Sequence, residues 1–203
     1  MASAESDPTA PVPPAGEDGR RRRIPTGREV AAREDGVHVV RLTPDDWESY
    51  AELRIGMLRD APGAFWSRLE DVQGRTEEEW RRSSDGRTLQ ARDADGSPLG
   101  TLTLLTSLTP PELGLQPGSA DALVLAVYVV PAARGRGVVD LLLDTALEVA
   151  RDGLGARRML LQVNERNVVA RRVYERHGYT LTGRSLPHPH QPGGRDLEMA
   201  RPV

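Results

Sequence analysis

The 203-residue chain has no cysteine, no lysine and a single phenylalanine. Without cysteine there can be no disulfide, no thiolate metal site and no thiol nucleophile, so any covalent or metal chemistry would have to use other groups. The basic side chains, 27 in number, are all arginine. A bias of that kind fits GC-rich coding more readily than a functional demand, but it removes the phosphate-binding lysine of a P-loop. No apolar run approaches the ~20 residues that span a bilayer, and the N-terminus carries no apolar secretory segment. Charge is nearly balanced, with a formal net of −3, and no basic face suggests a nucleic-acid partner. The expectation is a soluble cytoplasmic protein without nucleic-acid or membrane partners. With 38% hydrophobic residues, it has one domain's worth of core.

Residues 1–36 hold Pro8, Pro11, Pro13, Pro14 and Pro25 and no aromatic residue. They are read as a disordered Pro/Gly/Arg-rich tail, with the domain occupying 37–203. The apolar run Val37, Val39, Val40, Leu42 predicts a strand. Thr43 and Pro44 then start a helix carrying Trp47, Tyr50, Ala51, Met57 and Leu58. Thr76 and Glu79 form a capping box ahead of Trp80 and predict a second helix. Strand signals return over 88–91 and 99–105, joined by a turn at Asp95-Gly96. The Pro/Gly-rich connection 109–119 is long enough to border a site.

Residues 121–179 carry the most information. The nearly continuous apolar run 122–130 reads as a strand buried on both faces. Arg134-Gly135-Arg136-Gly137 follows, and Val138, Leu141, Leu142, Ala146, Val149 and Ala150 then recur at helical spacing. Glycines between a strand end and a helix start leave backbone N–H groups unpaired and converging on one spot, a geometry that receives phosphate. A dinucleotide fold would need glycine where Asp140 stands. A tight turn with no ligand is the plain alternative. Met159, Leu161 and Val163 predict another strand, and a helix follows over about 167–176. A closing strand pair is placed at 179–182 and 196–200.

The pattern Val127-x-Val129-x-Pro131-x-x-Arg134-Gly135-x-Gly137 resembles the acyl-CoA pyrophosphate loop of the GNAT N-acetyltransferase superfamily. Asn167-x-x-Ala170-x-x-x-Tyr174-x-x-x-Gly178-Tyr179 is similar to its second signature. The order and spacing of the two strengthen the likeness, as does the stretch Asp60-Ala61-Pro62-Gly63-Ala64-Phe65, which looks like many bacterial members. The resemblance implies an α/β fold: a mixed, mostly antiparallel sheet of about six to seven strands flanked by about four helices. The sheet would splay between its fourth and fifth strands to admit the pantetheine arm of acetyl-CoA.

By the same resemblance, Val127 and Val129 would meet pantetheine through their backbones. Arg134, Gly135, Arg136, Gly137, Val138 and Val139 would meet the pyrophosphate, although members usually carry glycine or alanine where Val139 stands. Asn167 would contact the cofactor and Tyr174 would protonate the departing sulfur. Asn167 and Tyr174 lie seven residues apart, so a helix puts both on one face. A helix cap and a core aromatic are their bland alternatives.

Members that acetylate ribosomal protein N-termini tend to carry glutamate where this chain has Gln162. Asp121 aligns with the strand carboxylate that serves as base in the histone acetyltransferase branch, and is equally read as a polar residue opening a strand. His188 and His190 sit in a loop that borders the acceptor pocket in such enzymes, but no carboxylate spacing supports a metal there, and none is expected. The remaining pocket walls would be the Trp47 helix, Phe65 and Trp66, and residues 110–118.

The function expected is transfer of acetyl from acetyl-CoA to a primary amine by direct attack. Acceptors in view are a small metabolite, an antibiotic, or a protein N-terminus or lysine. A catalytically silent acyl-CoA-binding module is the alternative, and a homodimer is a family-level expectation.

Overall fold

A computed structural model describes residues 29–84, 86–106 and 120–203. Among these residues, eight strands form one sheet in the order β1-β2-β3-β4-β5-β6-β8-β7. They are β1 (Glu29–Ala32), β2 (His38–Arg41), β3 (Thr88–Arg92), β4 (Pro98–Leu105), β5 (Asp121–Val129), β6 (Arg158–Asn164), β7 (Thr180–Pro187) and β8 (Arg195–Pro202). Only β5 and β6 run parallel. The helices are α1 (Trp47–Asp60), α2 (Glu77–Ser83), α3 (Val138–Glu148) and α4 (Val168–Arg176). None of these is long and apolar enough to cross a membrane.

The first strand lies where a tail was expected. Its sequence, Glu-Val-Ala-Ala, has too little apolar surface to announce itself. It is held by antiparallel pairing with β2 and by the turn at Gly36, whose φ is +83°. The Arg33 guanidinium also donates to the Arg136 carbonyl at 2.8 Å. A strand therefore precedes Val37, where the domain was expected to begin. The sheet has one strand more than the upper expectation, and the count shifts by one. At the other end, β7 runs on to Pro187, so the connection to β8 is residues 188–194.

The two faces of the sheet have separate cores. Val138, Leu142, Leu143 and Ala146 of α3 and Tyr174 of α4 pack with Leu102, Val124, Met159 and Leu161 on one face. Leu53, Met57 and Leu58 of α1 and Trp80 of α2 pack with Tyr128 on the other. The capping box forms as expected, with the Thr76 N–H donating to Glu79 Oε2 at 2.7 Å. Thr43 differs: it opens a short 3₁₀ turn, Pro44–Asp46, and its hydroxyl donates to Asp46 at 2.8 Å.

Two backbone features open the middle of the sheet. On β5, Ala126 and Val127 together face the single residue Leu102 of β4, since Leu125 pairs with Thr103 and Tyr128 with Thr101. Such a bulge needs a residue outside the strand region, and Ala126 has φ +53°. The extra residue inverts the alternation. Ala122 and Val124 face the α3 side before it, whereas Val127 and Val129 face that side after it. The β5–β6 ladder, in turn, ends at the pair Val124–Leu161. Beyond that point the strands diverge and leave a cleft.

β4 must press close to β5 beside this opening. A Cβ added at Gly100 would lie 2.7 Å from the Tyr128 carbonyl oxygen and 3.3 Å from Leu142 Cδ1. Because the nearest atom is backbone, it cannot swing away. Gly100→Ala is expected to cost about 1–3 kcal/mol, seen as a fall of roughly 3–10 °C in Tm by differential scanning calorimetry. An unchanged Tm would mean that β4 and β5 are free to separate.

Candidate active site

The diverging strands enclose a cleft of about 620 Å³. Its floor is the stretch from Val124 to Val129 on β5, its far wall is Gln162 to Asn164 on β6, and α4 closes one side with Asn167, Ala170, Val173 and Tyr174. Phe65, Trp66 and Ser67, from the α1–α2 connection, stand at the opposite end. Its lining is more apolar than polar, with Arg54, Ser67, Gln162, Asn164, Asn167 and Asp196 among the polar groups that reach it.

The glycine loop sits at one mouth. After the 3₁₀ turn Pro131–Ala133, Gly135 and Gly137 adopt φ of +75° and +72°. These left-handed positions turn the chain so that α3 starts directly behind the loop. Among the described residues, none of the backbone N–H groups of Gly135, Arg136, Gly137, Val138 and Val139 donates to a protein acceptor. A Cβ added at Gly135 would meet nothing within 4 Å, so the loop is open there. Five free donors at a helix N-terminus fit a pyrophosphate.

The two loop arginines already have partners. Arg134 pairs with Asp60 and donates to the Val129 carbonyl at 3.1 Å. Arg136 lies 3.5 Å from Asp93. An incoming phosphate would share these guanidinium groups with carboxylates. Sequence reasoning missed Arg33, whose side chain comes within 3.2 Å of a Cβ placed on Gly137. Nothing in a presumed tail pointed to it. Val139 packs against the main core and also lines the cleft, so its branched side chain serves both surfaces.

Asp140 is bound by the end of α4, although its Oδ2 also lies 3.8 Å from where a Cβ of Gly137 would be. It accepts from His177 Nε2 at 2.8 Å, and this hydrogen bond, with Arg176 nearby, holds its carboxyl below the ordinary range.

Asn167 caps α4, its Oδ1 accepting from the Ala170 N–H at 3.1 Å, and it lines the cleft as well. The cap and the ligand-facing position are compatible. Tyr174, two turns on, is 7% exposed and meets the Tyr179 ring edge-on at 6.0 Å. Burial pushes its phenol far above the ordinary value, so the hydroxyl carries its proton throughout the neutral range.

Asp121 is not among these residues. It stands at the start of β5, before the cleft begins at Val124. There it binds Arg158 in bidentate fashion at 2.6 and 3.2 Å. The acidic side chain that does line the cleft is Asp196 of β8. It is 4% exposed and accepts from Trp66 Nε1 at 2.5 Å and Asn164 Nδ2 at 3.3 Å. No local motif marked it, because only the β6–β8 pairing of Asn164 with Asp196 brings it here.

The 188–194 connection lies over the same end of the cleft. His190 Nε2 donates to the Trp66 carbonyl at 2.6 Å, and Gln191 Nε2 donates to the Gly63 carbonyl at 2.6 Å. His188 is buried beside it, its Nδ1 accepting from the His190 N–H at 3.2 Å. Residues 110–118, expected as a further wall, lie outside the described residues.

Residues 47–179 match the model of the acetyltransferase (GNAT) family. The chain belongs to the GNAT family. This acetyltransferase also resembles solved structures of such enzymes. A GCN5-related N-acetyltransferase from Kribbella flavida is 24% identical, with a TM-score of 0.63 over 84% of this chain and 100% of its own. A GNAT-family acetyltransferase from Streptococcus pneumoniae is 20% identical, with a TM-score of 0.66 over 82% and 99%. YncA from Salmonella typhimurium, solved with acetyl-CoA, is 17% identical, with a TM-score of 0.63 over 82% and 93%. At these identities the likeness is one of fold. No curated protein matches the chain.

Proposed function

We propose that this acetyltransferase moves the acetyl group of acetyl-CoA onto a primary amine by direct attack in a ternary complex. The observation that carries the reading is the continuity of one cleft. Arg134 and Val139, at the two ends of the glycine loop, line it, the β5 edge freed by the bulge forms its floor, and the buried Tyr174 forms part of its wall. The acetyl-CoA bound by the structural neighbour YncA supports the same assignment.

In this reading the N–H groups of residues 135–139 hold the pyrophosphate, and the β5 edge at Val127 and Val129 aligns the pantetheine. The thioester supplies an electrophilic carbon: the amine nitrogen forms the new C–N bond, the C–S bond breaks, and sulfur leaves as a thiolate. Tyr174 gives that sulfur its proton. Burial makes the phenol a weaker acid than usual, but a thiolate forming in the same dry cleft is a stronger base than in water, so the two stay matched. Asp196, the carboxylate inside the cleft, takes the proton that the amine sheds, a role the position of Asp121 does not suit.

The test is thiol release from acetyl-CoA, followed with a colorimetric disulfide reagent across amines of different classes. The protein has no thiol of its own, so the background is nil. Absence of cysteine also excludes a cysteinyl acetyl-enzyme. Double-reciprocal plots are expected to intersect as both substrates vary. Parallel lines would overturn direct attack.

A further inference from the structure

Two charged side chains reach the acceptor end of the cleft with no opposite charge to meet them. Asp196 receives only neutral donors, Trp66 and Asn164, and among the described residues no arginine or histidine pairs with it. Arg54, on α1, also lines the cleft. Its Nη2 donates to the Ser67 hydroxyl at 2.8 Å and its Nη1 lies 4.0 Å from the Met57 sulfur. No described carboxylate pairs with it either. Burial pulls its guanidinium below the ordinary value, as expected of a charge held away from water without a counter-ion.

Uncompensated charge held away from water is costly, and the cleft holds one such charge of each sign. Both are fixed by the same dipeptide, since Trp66 binds Asp196 and Ser67 binds Arg54. The two charges therefore face one space from neighbouring supports.

We infer that the acceptor is an amine that also carries an acidic oxyanion, its ammonium end met by Asp196 and its oxyanion by the Arg54 guanidinium. A carboxylate, phosphonate or phosphinate presents the paired oxygens that a guanidinium fork binds best. The inference rests on the acyl-transfer reading above and adds the acceptor's class to it. The step is unchanged: the amine nitrogen, released from its proton by Asp196, forms the C–N bond as the C–S bond breaks and Tyr174 protonates the sulfur. Arg54 takes part in binding only.

The test compares acceptors in pairs that differ in the acid alone, by initial rates of thiol release with the full chain. L-leucine is set beside L-leucinamide, β-alanine beside β-alaninamide, and 2-aminoethylphosphonate beside ethylamine. In at least one pair the acid is expected to exceed its partner in kcat/KM by about 30-fold or more, the size of one charge-assisted interaction. The amides have the more readily deprotonated amines, so intrinsic reactivity works against this result. Arg54→Gln should collapse the preference through KM for the acid-bearing acceptor, and Arg54→Lys should restore part of it. A merely structural arginine would lower both members of a pair together. If the amides or simple amines react as well as the acids, or if the preference survives in Arg54→Gln, the inference falls while the transferase reading stands. If no amine in the set or in the wider panel releases thiol, the transferase reading falls and takes the inference with it.

Discussion

Tyr174→Phe is expected to lower kcat by at least tenfold, and by about a hundredfold if the phenol supplies the full effect of a general acid. KM for acetyl-CoA should stay within about twofold. The phenyl ring keeps the edge-on contact with Tyr179 at 6.0 Å, so packing is preserved. The Tyr174 hydroxyl makes no hydrogen bond to another described residue, and its loss should leave Tm unchanged. The pH profile offers a second reading. An acid must be protonated to act, and burial shifts the Tyr174 phenol upward, so its proton persists into alkaline solution. The wild-type rate should therefore show no decline from this group below about pH 10. Steady-state thiol release between pH 6 and pH 10 tests this. Equal turnover in the variant would return Tyr174 to a packing role.

The parts of this site that were legible in the sequence are those made within a single stretch of chain. A glycine loop between strand and helix declares free N–H groups through spacing alone, and Asn167 and Tyr174 share a face because seven residues make two helical turns. The bulge at Ala126 was not legible for a physical reason. Residues 122–130 are almost uniformly apolar, so no alternation exists for an extra residue to break, and the positive φ falls on an alanine where glycine would have signalled it. Strand β1 was hidden by the opposite problem, since its charged neighbours resemble a tail and only pairing with β2 makes it a strand.

Asp121 stands away from the cleft because a strand's sequence does not say which of its ends borders it. Asp121 and Val124 belong to one strand, yet the parallel ladder binds Asp121 to the closed end beside Arg158. Asp196 and Arg54 are brought in by β8 and α1, through contacts with Trp66 and Ser67. Charges that meet only through tertiary structure leave no spacing to read.

Gly137→Val is expected to raise KM for acetyl-CoA by about a hundredfold, equivalent to losing one or two charge-assisted hydrogen bonds, with kcat at saturation reduced far less. Gly137 has φ +72° at the N-terminus of α3, a left-handed conformation that a β-branched residue adopts at a cost of roughly 1–2 kcal/mol. Its new side chain would also crowd Arg33, whose Nη1 already stands 3.2 Å from where a Cβ would be. The backbone relieves both by rotating toward negative φ, and this turns the N–H groups of Gly137 and Val138 away from their common focus. Because the disturbance is confined to the loop, Tyr174 and Asp196 keep their places in the cleft. The split is thus the reverse of that expected for Tyr174→Phe, and isothermal titration with CoA separates the two without turnover. Wild-type affinity for CoA in Gly137→Val would show that the loop holds the chain's shape and leaves the phosphates to the arginines.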